Sequence, residues 1–206
     1  MAKDREILDL FDKARGYILA DSYYSKEVEY VKRCTFETQT AESFFIEYVF
    51  VVLSAGMKNQ VVEKIMRRYF VNGETNIKAI NHKGKRKAII EAEWQYEKWW
   101  DQVLCFETLN ERLEFLESLP FIGPITKYHL ARNLGIDVAK PDRHMKRVAH
   151  KMGYIDVQSM CEMIAKARGE RIGVVDVILW RYINLLSWDF VSKEIAGMHP
   201  RSIYDF

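Results

Sequence analysis

Apolar residues along this chain recur three and four positions apart with charged residues between them, the spacing of helices that bury one face. Phe44, Phe45, Tyr48, Val49, Val51, Val52 and Leu53 predict a buried helix, with a break near Gly56. Val61, Val62, Ile65, Met66 and Tyr69 predict an amphipathic helix beyond it. Val103, Leu104, Phe106, Leu109, Leu113 and Leu116 keep the same period, and Thr108 followed by Glu111 has the form of a capping box. From Pro124, the series Ile125, Tyr128, Ala131, Leu134 predicts a helix that stops at Gly135. Another starts at Pro141, carries Met145, Val148, Ala149 and Met152 on one face, and stops at Gly153. Segments 157–166 and 174–188 continue the pattern. The run Val49–Leu53 also has the composition of a buried strand, but no partner with alternating polarity exists, so the reading is all-α.

Composition narrows this picture. With 206 residues, 49% of them hydrophobic, the chain can bury a real core as one large domain or two small lobes. Four prolines, ten glycines and no internal repeat give no sign of a long linker. Cys34, Cys105 and Cys161 stand far apart, which encodes neither a disulfide framework nor a zinc or iron–sulfur site and fits a reducing compartment. A charged N-terminus and the lack of any run of ~20 apolar residues predict a soluble intracellular protein, with no membrane partner. The net charge of +2 looks uninformative, yet residues 127–151 hold seven Lys/Arg against two Asp, whereas residues 1–50 hold seven against ten acids.

Two segments carry candidate chemistry. Leu119-Pro120-Phe121-Ile122-Gly123-Pro124-Ile125-Thr126 joins two amphipathic helices through a very short turn. Such a turn leaves backbone N–H groups without partners at a helix N-terminus, where the dipole also favours an anion; it is a seat for a phosphate. By itself it reads first as an ordinary helix–turn–helix connection. Downstream, Asp142 lies at a helix start among Lys140, Arg143, Lys146 and Arg147, surroundings that favour its ionised form. By itself it reads as an ordinary acid in a first helical turn.

Together the segments resemble the helix-hairpin-helix (HhH-GPD) DNA glycosylase superfamily. Its pattern is Leu-Pro-Gly-[Ile/Val]-Gly, a helix, then [Val/Pro]-Asp-x-[His/Asn]-x-x-Arg. Here this is Leu119-Pro120-Phe121-Ile122-Gly123, the helix to Leu134, and Pro141-Asp142-Arg143-His144-Met145-Lys146-Arg147, with Phe121 in place of the first hairpin glycine. Gly123-Pro124-Ile125-Thr126 is similar to the Gly-Pro-x-Thr of the 3-methyladenine DNA glycosylase II-like branch. Val52–Gln60 resembles the Leu-Ser-x-Gln helix break, with Gly56 at the Gln position, and Ile80–Ile89 resembles the Gly-Lys-Ala-x-x-Ile segment. The likeness spans most of residues 44–190.

The resemblance implies two helical lobes with a DNA-binding cleft between them: a central lobe over residues 44–136, and a second from residues 1–43 plus 137–206. It implies a base-excision repair glycosylase that flips a damaged or modified base out of double-stranded DNA. The N-glycosidic bond would then be hydrolysed with Asp142 as the catalytic carboxylate. Leu119, Pro120, Ile122, Gly123, Ile125, Thr126, Lys127 and Arg147 are the DNA-binding candidates, Met57 and Lys58 the wedge, and Tyr128 and Trp180 the base pocket. His144 is expected to make a structural hydrogen bond. Lys83–Lys87 reads as a solvated basic loop or a phosphate contact, and the other tryptophans read as core.

Members that also cleave the backbone carry a lysine two residues after the last hairpin glycine. Here that residue is Ile125; Lys127 lies two further on, about 200° around the helix. The chain is therefore expected to be monofunctional, to need no cofactor or metal, and to act as a monomer in the cytoplasm and nucleoid, or in a nucleus. A bifunctional glycosylase/AP lyase using Lys127 and a non-catalytic helix-hairpin-helix DNA-binding protein stay open as alternatives. So does the base removed, with Gly-Pro-x-Thr pointing toward alkylated purines.

Overall fold

The computed structural model describes residues 2–198, which form eleven α-helices and one two-stranded hairpin. In chain order these are α1 (Ala2–Leu19), α2 (Tyr24–Arg33), α3 (Ala41–Ser54), α4 (Asn59–Tyr69), β1 (Phe70–Val71) and β2 (Glu74–Thr75). There follow α5 (Lys83–Cys105), α6 (Leu109–Ser118), α7 (Thr126–Asn133), α8 (Arg143–Lys151), α9 (Val157–Arg168), α10 (Ile172–Leu186) and α11 (Trp188–Met198). No described helix is long and apolar enough to cross a membrane. The chain divides into two compact units, Thr35–Ile136 and Met1–Cys34 with Asp137–Phe206.

The central unit is built on α3. Its Phe44, Tyr48, Val49, Val51, Val52 and Leu53 are fully buried, and α5 packs against it with Ala88, Ile89, Ala92, Trp99 and Val103. The apolar run Val49–Leu53 is thus helical, and a reciprocal Thr40–Ser43 capping box starts that helix. The unit begins at Thr35, ahead of the boundary at 44 read from the sequence. Phe36 explains the difference: its ring packs 5.4 Å from Trp100, with the Arg112 guanidinium 4.5 Å from its centroid. The apolar series 103–118 is two helices, because α6 starts afresh at a Thr108–Glu111 capping box. The β1–β2 hairpin is an addition to the elements read from the sequence. Asn72-Gly73 makes its two-residue turn, both residues with positive φ (53° and 83°), as a type I′ turn requires.

The terminal unit is centred on α10, where Val174, Val175, Val177, Ile178, Leu179, Tyr182 and Ile183 are buried. Chain ends far apart in sequence close around it. From α1, Ile7, Leu10, Phe11, Ala14 and Ile18 recur at helical spacing on the buried face, and α8 and α9 add Met145, Val148, Met160 and Ile164. Arg181 makes a two-pronged ion pair with Glu27, with Tyr24 and Trp180 against its guanidinium.

Candidate active site

In the terminal unit, the segment that delivers Asp142 is fixed by side-chain bonds. Asp137 Oδ1 accepts from the Gly173 amide (3.0 Å) at the start of α10, and Gln158 Oε1 accepts from the Ala139 amide (2.9 Å). The Asp142 amide then donates to the Lys140 carbonyl across Pro141, at 2.8 Å. Asp142 emerges as the N-cap of α8, one position earlier than the first-turn site read from the sequence. Its Oδ1 accepts from the amides of His144 (2.9 Å) and Met145 (3.0 Å). Oδ2 accepts no hydrogen bond among the described residues, so half of the carboxylate is anchored and half is available.

His144 follows on the first turn of α8. Its Nδ1 is shut off from solvent and has no hydrogen-bond partner among the described residues, so the structural bond expected of it is not made there. An unpaired buried polar atom costs about 1–3 kcal/mol. The outer side of α8 is basic. Lys146, Arg147, His150 and Lys151 line a pocket of about 620 Å³ with Trp188, and the exposed Arg147 places its guanidinium 5.7 Å from the Trp188 centroid. Trp180, half-buried, lies between two cations: Arg181 at 4.6 Å and Lys140 at 6.0 Å from its ring.

In the central unit, α6, the turn and α7 form the hairpin. Leu119 and Ile122 are buried and hold it down, and the Tyr48 hydroxyl donates to the Pro120 carbonyl at 2.5 Å. Burial raises the Tyr48 pKa above the ordinary phenol value, which keeps it a donor. Asn133 Nδ2 donates to Glu47 Oε2 (2.8 Å) and ties the far end of α7 to α3. The turn uses more of its own amides than the sequence suggested. The Ile122 amide donates to the Leu119 carbonyl (3.1 Å), and the Gly123 amide donates to Thr126 Oγ1 (2.7 Å). The amides of Ile125 and Thr126, at the first turn of α7, are left without acceptors among the described residues. These are the groups able to hold an anion.

Phe121 adopts φ 64°, the left-handed backbone that favours glycine. Its ring, 42% exposed, lies edge-on to His82 at 5.7 Å and 5.8 Å from Lys85 Nζ. Phe121→Gly is therefore expected to be more stable than Phe121→Ala by about 1 kcal/mol, reversing the usual order. Both variants lose the ring, but only glycine relieves the backbone; urea denaturation of the pair checks it.

Lys127 Nζ is engaged by Glu117 at 2.5 Å across the hairpin, so its charge is matched within the protein. Ile125 is half-buried, and the Tyr128 ring centroid lies 5.5 Å from Lys127 Nζ. Met57, half-buried, and Lys58, exposed, follow the left-handed Gly56 (φ 74°) between α3 and α4.

The residue that sequence reasoning missed is Lys85. It is 3% exposed and not part of a solvated loop: its Nζ donates to the carbonyls of Leu53 and Ala55, both at 2.7 Å. An ammonium on the last carbonyls of α3 completes that helix end and complements its dipole, while burial lowers the lysine pKa. Lys85 thereby fixes the 54–58 turn and carries the ring of Phe121, linking turn to hairpin. A signal was present: Lys85, Ala88, Ile89 and Ala92 share one helical face. The structure also overturns the core reading of Trp94, which is 83% exposed, whereas Trp99 and Trp100 are buried.

No family model matches this sequence, and no curated protein does. Three solved structures share its fold. The 8-oxoguanine DNA glycosylase of Thermotoga maritima superposes with a TM-score of 0.66 at 22% identity, over 87% of this chain and 97% of that one. The 8-oxoguanine DNA glycosylase of Methanocaldococcus jannaschii gives 0.64 at 20% identity, over 86% and 95%. The structure of the Methanocaldococcus jannaschii 8-oxoguanine glycosylase/lyase in complex with a 15mer DNA containing 8-oxoguanine gives 0.60 at 21% identity, over 82% and 94%. The chain has the all-α helix-hairpin-helix glycosylase fold.

Proposed function

We propose that this chain is a DNA glycosylase that hydrolyses the N-glycosidic bond of a flipped purine and leaves an abasic site. The observation that carries the reading is Asp142, with Oδ1 fixed by two amides and Oδ2 unengaged. Cleavage breaks C1′–N, the electron pair leaves with the base, and the sugar becomes cationic. A carboxylate with one oxygen anchored is organised before the charge develops, so it stabilises that state without reorganising. Water then adds to C1′ and passes its proton through Asp142 to solvent. The free amides of Ile125 and Thr126 and the basic side of α8 hold phosphates, which positions the strand without reading its sequence.

The three fold neighbours act on or bind 8-oxoguanine, which makes it the first substrate to test, with alkylated purines second because of Gly123-Pro124-Ile125-Thr126. Mass spectrometry of bases released from duplexes carrying each lesion is expected to find one of these purines free. Release of no base from a broad panel would leave the non-catalytic DNA-binding reading instead.

One neighbour is a glycosylase/lyase, which keeps a lyase reading in view. A Schiff base needs a free amine, whereas position 125 is isoleucine and Lys127 is held by Glu117. Borohydride treatment during turnover is expected to trap no protein–DNA adduct. A trapped adduct that disappears in Lys127→Ala would make the enzyme bifunctional.

A further inference from the structure

A second pocket lies wholly inside the central unit, built from α3, α5 and the β1–β2 hairpin. It has a volume of about 400 Å³, within the ~300–1,000 Å³ range of small-molecule sites. None of its residues belongs to the glycosylase reading. Four aromatic rings form its wall: Phe45, Phe70, Trp94 and Tyr96. Phe45 meets Phe70 nearly perpendicularly at 6.0 Å and Tyr96 at 5.1 Å, so the rings are mutually braced. Trp94 rises from α5 at the edge, 83% exposed, with no core role to account for it.

Two carboxylates complete the lining, Glu42 and Glu93, and no Lys, Arg or His does. Neither acid forms an ion pair among the described residues. Glu93 accepts from the Tyr69 hydroxyl at 2.6 Å, which fixes it in place. Hydrogen bonds from Thr40 and the α3 backbone hold the Glu42 carboxyl below the usual carboxylate range. Ring faces carry negative electrostatic potential, and two negative charges add to it, so an anion is repelled and a neutral apolar group leaves the carboxylates unanswered. Strongly hydrated metal ions gain little from ring faces. Weakly hydrated organic cations gain from both features.

We infer that this pocket binds an organic cation, a methylated ammonium or a guanidinium head group, stacked against Trp94 and neutralised by Glu42 and Glu93. Such a head group occurs on free small molecules and on side chains of polypeptides, so the test uses one probe for each. Tetramethylammonium chloride and acetylarginine amide are titrated separately into the full chain at constant ionic strength. 3,3-Dimethylbutanol is the neutral control of similar shape. Proton–nitrogen NMR spectra follow the indole resonance that vanishes in Trp94→Phe, a variant whose exposed position leaves the fold intact.

Saturable movement of this resonance with either cation is the expected result, and the tighter of the two reports the natural source. The neutral alcohol is expected to act about tenfold more weakly. The double variant Glu42→Gln, Glu93→Gln, in which the new amide oxygen at position 93 can still accept from the Tyr69 hydroxyl, is expected to weaken the cations by about tenfold as well. The inference is overturned if neither cation moves the resonance, if the alcohol binds as well as the cations, or if the double variant binds them unchanged.

Discussion

Asp142→Asn is expected to slow base release by about 10²–10³-fold while leaving the fold and DNA affinity in place. The size follows from charge. A carboxylate ~4 Å from a developing unit positive charge, at an effective dielectric of ~20, is worth about 4 kcal/mol, and full development of that charge sets the upper end of the range. The substitution is informative because of where Asp142 sits. Asparagine caps a helix about as well as aspartate, and its amide oxygen can accept from the amides of His144 and Met145 as Oδ1 does now. Stability should therefore change by less than about 0.5 kcal/mol. Asp142→Ala removes charge and cap together, and should lose activity plus about 1 kcal/mol of stability. Single-turnover release, urea denaturation and DNA binding separate these effects. If the asparagine variant releases base at the parental rate, Asp142 is a cap and nothing more, and the proposed mechanism fails.

The second large effect is on stability. Gly135→Ala is expected to destabilise the protein by about 3–5 kcal/mol and to lower its melting temperature by roughly 10 °C. Gly135 ends α7 at φ 79° in a Schellman arrangement, its amide donating to the Arg132 carbonyl and that of Ile136 to Ala131, each at 3.0 Å. The left-handed backbone alone costs an alanine about 1–2 kcal/mol. The larger part comes from a close approach of main chain to main chain. A Cβ at 135 would lie 2.4 Å from the Thr35 carbonyl carbon and 2.5 Å from the Phe36 amide nitrogen. Backbone cannot rotate away as a side chain can, so the segment that opens the central unit or the end of α7 must shift. Gly169→Ala is the control: it ends α9 at φ 64° with nothing within 4 Å of the added carbon, and should show the conformational cost only. Thermal unfolding followed by circular dichroism compares the two; equal losses would show that the Thr35–Phe36 contact relaxes freely.

These sites show why some features are legible in a sequence and others are not. Helix starts and stops are decided within four or five residues, because a cap joins a side chain to an amide two or three positions on. Thr108 with Glu111 and the glycines at 135 and 153 can therefore be read directly from the letters, whereas the hairpin and the Pro141–Arg147 segment are read as a pair, through the motif they share with a known family. The β1–β2 hairpin has an equally local signal in Asn72-Gly73, but strands of two residues are too short to show alternation beside it.

What lies inside or outside is decided differently, by whichever element comes to rest on a given face. Lys85 and Trp94 stand on the same helix, and by residue type the first belongs in water and the second in the core. The packing of α3 against α5 reverses both. It brings the unfilled carbonyls of Leu53 and Ala55 to the lysine and leaves the tryptophan at the rim of an acidic pocket. Likewise, Lys127 becomes the partner of Glu117, and Phe121 is forced into a glycine conformation, only once the hairpin closes over buried Leu119 and Ile122. The sequence by itself determined the helical segments within residues 44–69 and 103–188 and most of their ends, which rest on local hydrogen bonds, while Asp142 stood out only through the motif it shares with a known family. The tertiary structure alone decided which charges are spent within the protein and which remain available, since pairing and burial depend on chain segments that the linear order keeps apart.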